Sequence, residues 1–281
     1  MKKSDVIIKK EVLDETQSIV VNKHKDIIIN KYSNYDEDSR LIKDRGHYVE
    51  YFTTMRYIEK YLKPGAKILE IGAATGRYSI TLAQMGYDVT AVDLTPKHVE
   101  IMRSKSQGLN NFNCMVADAL DLNMFKDESF DLVLNLGPMY HLFHQTDKEK
   151  AVTETIRVAK KGGMCMFAYI PCAAIMLGYG LCHLQAENLK YLMDEVGRFK
   201  DVPEEIFNCF NIEDFKRLFD NTNTEYVTNV ATDGIAYAMK EQLEQLSDEG
   251  FQTFLKWHLL TCERPDQQGY SAHLLYICKK N

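Results

Sequence analysis

KILEIGAATGRYSITLAQMGYDVTAVD, residues Lys67 to Asp93, sets two short apolar runs on either side of one helical pattern. The spacing predicts a buried strand over Ile68–Ile71, a glycine turn from Gly72 to Gly76, a helix closed by Gly86, and a second strand over Val89–Val92 ending in Asp93. That is a βαβ unit. Gly72 and Gly76 let the backbone bend around Ala73 without Cβ clashes and bring a helix N-terminus close to whatever the turn holds. Asp93, 17 residues after Gly76, stands where an acid can bind the two hydroxyls of a ribose. Glu70 ends the first strand beside the same turn. A pyrophosphate placed there would meet a like charge in poorly shielded surroundings. A sulfonium nucleoside that carries an ammonium would not. The run Gly72-Ala73-Ala74-Thr75-Gly76-Arg77 also lacks the G-x-G-x-x-G of a nicotinamide dinucleotide site. The residues therefore point to S-adenosylmethionine as cofactor, with S-adenosylhomocysteine as product.

The run Glu70-Ile71-Gly72-Ala73-Ala74-Thr75-Gly76 resembles motif I of the class I, Rossmann-like S-adenosylmethionine-dependent methyltransferases, and Asp93 resembles their acidic second-strand residue. Many members carry glycine where this chain has Ala74. The resemblance implies an α/β, doubly wound, seven-stranded sheet, mostly parallel with the last strand antiparallel, bearing a helical lid and an insertion. It places Leu94 beside Asp93 in the cofactor site. It also assigns Asp118 and Ala119, at the end of a third strand over Phe112–Ala117, to the adenine. Strand four, Phe130–Leu136, leads into Asn135-Leu136-Gly137-Pro138-Met139-Tyr140-His141, which resembles the family's motif IV region beside the transferable methyl group. By that likeness Asn135 joins the cofactor residues, His141 is the candidate base and Tyr140 its orienting hydroxyl. Tyr32, Tyr35 and Arg40 are candidates for closing over the methionine end. Ile156-Arg157-Val158 before a double glycine looks like the family's turn into strand five. The segment Glu263 to Leu275 resembles the end of small-molecule-type bacterial methyltransferases. The likeness runs from about Tyr35 to the C-terminus.

The remaining pattern fits this frame. Apolar residues at three- and four-residue spacing predict a helix from Tyr35 to Leu62, stopped by Pro64-Gly65. Residues 1–35 suit either helices or a β-branched strand. Thr95 and Pro96 mark a helix start. Thr146-x-x-Glu149 reads as a capping box, and Lys161-Gly162-Gly163 as the end of that helix before strand five at Met164–Ile170. Residues 172–210 read as a helical insertion roofing a substrate pocket. Asn211 opens a further helix, and strands follow at Tyr226–Ala231 and Ala272–Cys278, with two helices between Gly234 and Cys262. The division expected is residues 1–62 as a helical extension and lid, and 63–281 as the S-adenosylmethionine-binding domain.

Composition narrows the partners. A net charge of −6 and 26% charged residues argue against a nucleic-acid substrate, which needs a concentrated basic face. No apolar run reaches the ~18 residues of a membrane span. The seven cysteines are scattered without a C-x-x-C pair, so neither a disulfide framework nor a metal site is indicated. They suit a reducing, cytoplasmic setting. Met139, Phe143, Tyr169 and Tyr179 would line an apolar pocket for a small-molecule methyl acceptor. Two alternatives stand beside that reading. One is an S-adenosylmethionine-binding protein without catalysis. The other is a protein or RNA methyltransferase, disfavoured by the charge balance and by Asn135-Leu136-Gly137-Pro138 where an N/D-P-P-Y/F turn would stand.

Overall fold

Strands buried on both faces need near-continuous apolar sequence, and the runs just described supply it. In the computed structural model, which describes residues 24–200 and 207–281, five strands lie parallel: β1 (Lys67–Ile71), β2 (Asp88–Asp93), β3 (Phe112–Val116), β4 (Phe130–Asn135) and β5 (Ala159–Tyr169). β6 (Thr224–Ala231) forms the far edge, and β7 (Leu274–Lys280) inserts between β5 and β6, antiparallel to both. The order is β3-β2-β1-β4-β5-β7-β6, seven strands with the last one reversed, as expected. Ile68, Leu69, Leu132, Val133, Leu134, Cys165, Met166 and Phe167 fill the centre of the core.

The crossovers are α3 (Arg77–Gln84), α4 (Pro96–Lys105) and α5 (Gln145–Val158). Thr95 is the N-cap of α4 and Pro96 follows at its first position. Because the chain order reverses between β1 and β4, their C-terminal ends open a crevice, the usual binding place in such sheets.

Several local expectations are corrected. The helical signal from Tyr35 to Leu62 is split into a short 3-10 turn, Arg40–Ile42, and α2 (Arg45–Tyr61). Asp44 resets the helix: its carboxylate accepts from the His47 N–H at 2.9 Å and from the His47 ring at 2.7 Å. The capping box does not form. His144 is the N-cap of α5, which places Thr146 inside the helix, and Glu149 accepts from the Gln145 side chain instead. Lys161-Gly162-Gly163 does not end α5. Those residues belong to an irregular first half of β5, where Gly162 takes a positive φ of 72°. A Cβ on Gly163 would lie 2.8 Å from the Lys160 carbonyl.

The described part of the N-terminal stretch is α1 (residues 24–33), a helix rather than a strand; residues 1–23 lie outside the described residues. α2 buries Met55, Tyr57 and Ile58 in the main core. It also packs Val49 with Ala236, Leu243, Phe251 and Leu255 in a second cluster shared with α8 (Lys240–Glu244) and α9 (Asp248–Thr261). The insertion begins as α6 (Cys172–Ala174), continues as a π-helical turn over Ile175–Cys182 and a 3-10 turn over Ala186–Leu189, and returns at Phe210. Asn211 then precedes α7 (Ile212–Arg217), and α10 (Pro265–Gln268) leads to β7.

Candidate active site

The turn after β1 is built from left-handed backbone. Gly72, Ala74 and Gly76 have φ of 74°, 48° and 84°. Ala74 is the notable one, since a side chain in that region costs about 1–2 kcal/mol. Gly72 cannot carry a Cβ for a second reason: it would lie 2.6 Å from Pro138 Cδ. The close approach at Gly72 is thus to the loop after β4. Gly76 lies behind the turn, where a Cβ would meet Ile80 and Met102 at 2.9 and 3.0 Å, so its role is packing and conformation rather than lining the cleft.

Three acids stand at successive strand ends around the crevice. Glu70 is 1% exposed and its Oε2 has no hydrogen-bond partner among the described residues. Burial pushes its carboxyl up to about 8; neighbouring Ser79 lowers it in part, without its Oγ making a full hydrogen bond, and the Asp93 charge adds a small push upward. Asp93 is held by the Ala74 N–H at 2.7 Å, the Thr95 N–H at 2.8 Å and the His98 ring at 3.1 Å. Asp118 accepts from the Leu120 N–H at 2.9 Å and pairs with Lys25 of α1 at 2.5 Å.

The opposite wall comes from the N-terminal region. Tyr32 on α1 places its hydroxyl 3.1 Å from His141 Nε2, and His24 lies 3.0 Å from the His141 carbonyl. Tyr140 packs edge-on against His141, and burial raises the phenols of both Tyr140 and Tyr32. Arg40 lines the cleft, with its guanidinium bound to Glu37 at 2.5 Å and to Glu50 at 2.8 and 3.2 Å. Asp38 straps this region to the glycine turn: it accepts from Thr75 Oγ1 at 2.7 Å, its carbonyl accepts from Arg77 at 2.7 Å, and Lys105 pairs with it. The space enclosed, counting its open mouth, is about 1320 Å³, enough for a nucleoside cofactor with an acceptor beside it.

Of the residues picked out in the sequence, Glu70, Gly72, Ala73, Asp93, Leu94, Asp118, Ala119, Tyr32, Arg40, Tyr140 and His141 line this one cleft. Asn135 does not. Its side chain is fully buried and donates to Thr155 of α5 at 3.0 Å, because strand alternation turns it away from the crevice. The aromatic lining is also corrected. Phe143 faces the cleft, but Met139 is in the core, Tyr169 stacks on Phe215 at 3.8 Å, and Tyr179 is half exposed on the insertion. Tyr35 points outward and is 45% exposed. Sequence reasoning missed Lys25, Glu37, Asp38 and His98. Only His98 carried a local signal, one helical turn past the N-cap that follows Asp93.

The Oε2 of Glu70, the acid at the end of β2 and the acid after β3 would suit the ammonium, ribose and adenine of S-adenosylmethionine in order. The donor set therefore fits that cofactor. Residues 68–163, about a third of the chain, match the family model described as a methyltransferase domain. A demethylmenaquinone methyltransferase of Clavibacter sepedonicus is 35% identical over 121 residues, 42% of this chain and 47% of that protein. An eEF1A lysine and N-terminal methyltransferase homolog of Drosophila melanogaster is 28% identical over 65% of this chain and 27% of its own length. The chain thus spans less than half of each of these two relatives. Among solved structures, a methyltransferase of Methanosarcina mazei superposes with a TM-score of 0.52 at 18% identity, covering 80% of this chain and 96% of that one. That likeness concerns the fold.

Proposed function

We propose that this protein transfers a methyl group from S-adenosylmethionine to a small-molecule acceptor. The observation that carries the reading is the buried Glu70 carboxyl, with one oxygen unpartnered among the described residues, at the end of β1 beside Asp93. A cationic ligand group favours the ionised carboxylate and satisfies that oxygen, whereas a diphosphate beside it would oppose that ionisation. Glu70, the backbone at Gly72 and Ala73, Asp93 with Leu94, and Asp118 with Ala119 would hold the cofactor. When bound, the cofactor supplies a methyl group already activated by positively charged sulfur.

The protein's own part is alignment and proton handling. Holding two reactants in line is worth ~7–11 kcal/mol in favourable cases, more than a base at ~10²–10⁴-fold. α1 and the Asp38 strap cover the cleft and exclude water. His141 takes the proton of an acceptor that arrives as a hydroxyl or ammonium, and the Tyr32 hydroxyl fixes its ring. Phe143, Phe207 and Tyr140 around His141 favour an acceptor with an apolar portion.

Isothermal titration is expected to show S-adenosylmethionine and S-adenosylhomocysteine binding with NAD silent. Asp93→Ala is expected to weaken that binding by about 1.5–3 kcal/mol, the scale of one charged hydrogen-bonding group. Unchanged affinity in the variant removes the ribose assignment. In His141→Ala turnover should be lost while cofactor affinity stays; full activity makes His141 a structural residue. A macromolecular acceptor is the second reading, favoured by the likeness to the Drosophila relative over 65% of this chain. Turnover assays that offer phenols, quinols and amines beside peptides and tRNA separate the two, and binding without any turnover would make the chain a cofactor-binding protein.

A further inference from the structure

The neck of the insertion is a cysteine pair. Pro171 and Phe210 are joined as a parallel bridge, with the Cys172 N–H donating to the Phe210 carbonyl at 2.9 Å and the Phe210 N–H to the Ile170 carbonyl at 2.9 Å. That frame pins the outgoing and returning chains side by side where Cys172 and Cys209 face each other, with their Sγ atoms 2.6 Å apart. Disulfides need backbones held close and side chains that converge, and the bridged chains with sulfurs 2.6 Å apart put these two side chains within reach of each other. Cys172 is buried and Cys209 is half-buried, so Cys209 is the more accessible residue of the pair.

We propose that Cys172 and Cys209 are a modification site, a dithiol that exchanges with a low-molecular-weight disulfide such as oxidised glutathione to close the insertion at its neck. The Cys209 thiolate attacks one sulfur of the reagent, breaking its S–S bond and releasing one thiol. The Cys172 thiolate then attacks the Cys209 sulfur, forming the internal S–S bond and releasing the second thiol. Two protein S–H groups and one small disulfide become one protein disulfide and two small thiols, with both protons passing to the departing thiolates. The neck reaches the cleft directly. Asn208, next to Cys209, donates its N–H to the Tyr140 carbonyl at 2.7 Å and its side chain to the Leu142 carbonyl at 2.8 Å. Phe207 lies 5.4 Å from the His141 ring. Closing the neck therefore fixes the roof against the segment that carries His141.

The other cysteines are internal controls. Cys165 and Cys278 also face each other, in register across β5 and β7, but both are fully buried in the core. Cys182 is exposed. The full-length protein is incubated with oxidised glutathione, alkylated, digested without reduction and mapped by mass spectrometry. The expected product is a Cys172–Cys209 linked peptide, with Cys182 still alkylated or carrying glutathione. Cys172→Ser should trap glutathione on Cys209, and Cys209→Ser should leave Cys172 unmodified. Limited trypsin cleavage after Lys190, Arg198 and Lys200 should slow several-fold in the oxidised protein and recover with reductant. A link through any other cysteine pair, full alkylation of Cys172 and Cys209 after oxidation, or equal cleavage of both forms would overturn the proposal. None of these readouts uses methyl transfer, so this site and the proposed reaction fail or stand separately.

Discussion

At the scale of single residues, the site turns on the protonation of Glu70. With no cation beside it, burial holds its carboxyl at about 8 against an ordinary value of 4.5, so the folded protein carries the proton across the interval between them. The sign follows from linkage: a raised pKa contributes stability that is full below about 4.5 and is lost as pH rises through about 8. Urea unfolding should therefore show wild-type stability falling across that window relative to Glu70→Gln, which keeps a neutral side chain throughout. The same chemistry predicts that binding a cationic cofactor near neutral pH expels most of a proton, seen as a binding heat that depends on the buffer's ionisation enthalpy. Equal heats in phosphate and Tris would mean that the ammonium is not beside Glu70. The acids of this site were legible because topology places strand ends at the crevice, so Glu70, Asp93 and Asp118 could be read off the strand pattern. Lys25 and Asp38 were not, since nothing near them in sequence announces partners as remote as Asp118 and Thr75. Asn135 was misread because a residue at a strand end faces the crevice or a packed helix according to one step of alternation.

At the scale of elements, the turn after β1 and the loop after β4 behave as a fitted pair. Gly72→Ala would force a methyl into Pro138 at a φ of 74°, combining overpacking with left-handed strain, and is expected to cost about 2–4 kcal/mol. Thermal unfolding measures that loss, and titration should show cofactor affinity reduced along with it. A variant as stable as wild type would mean the two loops separate readily. The parallel strands and their crossovers were readable from short apolar runs and well-marked helix starts such as Thr95-Pro96. The starts of α2 and β5 were not. Asp44 competes as a cap inside a continuous helical pattern, and a double glycine that elsewhere stops a helix here makes an irregular strand entry.

At the scale of the whole molecule, a buried chain of charges ties the N-terminal region to the far end of the sheet. Arg40 joins Glu37 and Glu50, Glu50 lies 3.5 Å from the His273 ring, and His273 lies 2.9 Å from Asp233 after β6. The Arg40 and His273 charges outweigh burial and hold Glu50 down at about 2. A depressed carboxylate contributes stability present above its ordinary 4.5 and lost as pH falls through about 2. Burial and the Arg40 charge pull His273 down, but Glu50 and then Asp233 outweigh them and raise it, so its contribution is full below the ordinary imidazole value and is lost as pH rises through the raised one. Glu50→Gln should cost about 3–5 kcal/mol near neutral pH, because Arg40 keeps a buried charge with one partner fewer. It should also flatten the acid limb of the stability curve. Urea titrations at neutral and acid pH test both parts, and an unaltered acid limb would show that other carboxylates govern it.

The contact between Gly72 and Pro138 also has a bearing on how such a protein can acquire new acceptors. Because the turn after β1 and the loop after β4 are keyed together without room for one methyl group, neither can drift alone under selection. Under the reaction proposed above, variation in acceptor choice falls to α1 and residues 172–200, while the keyed pair of loops is inherited intact.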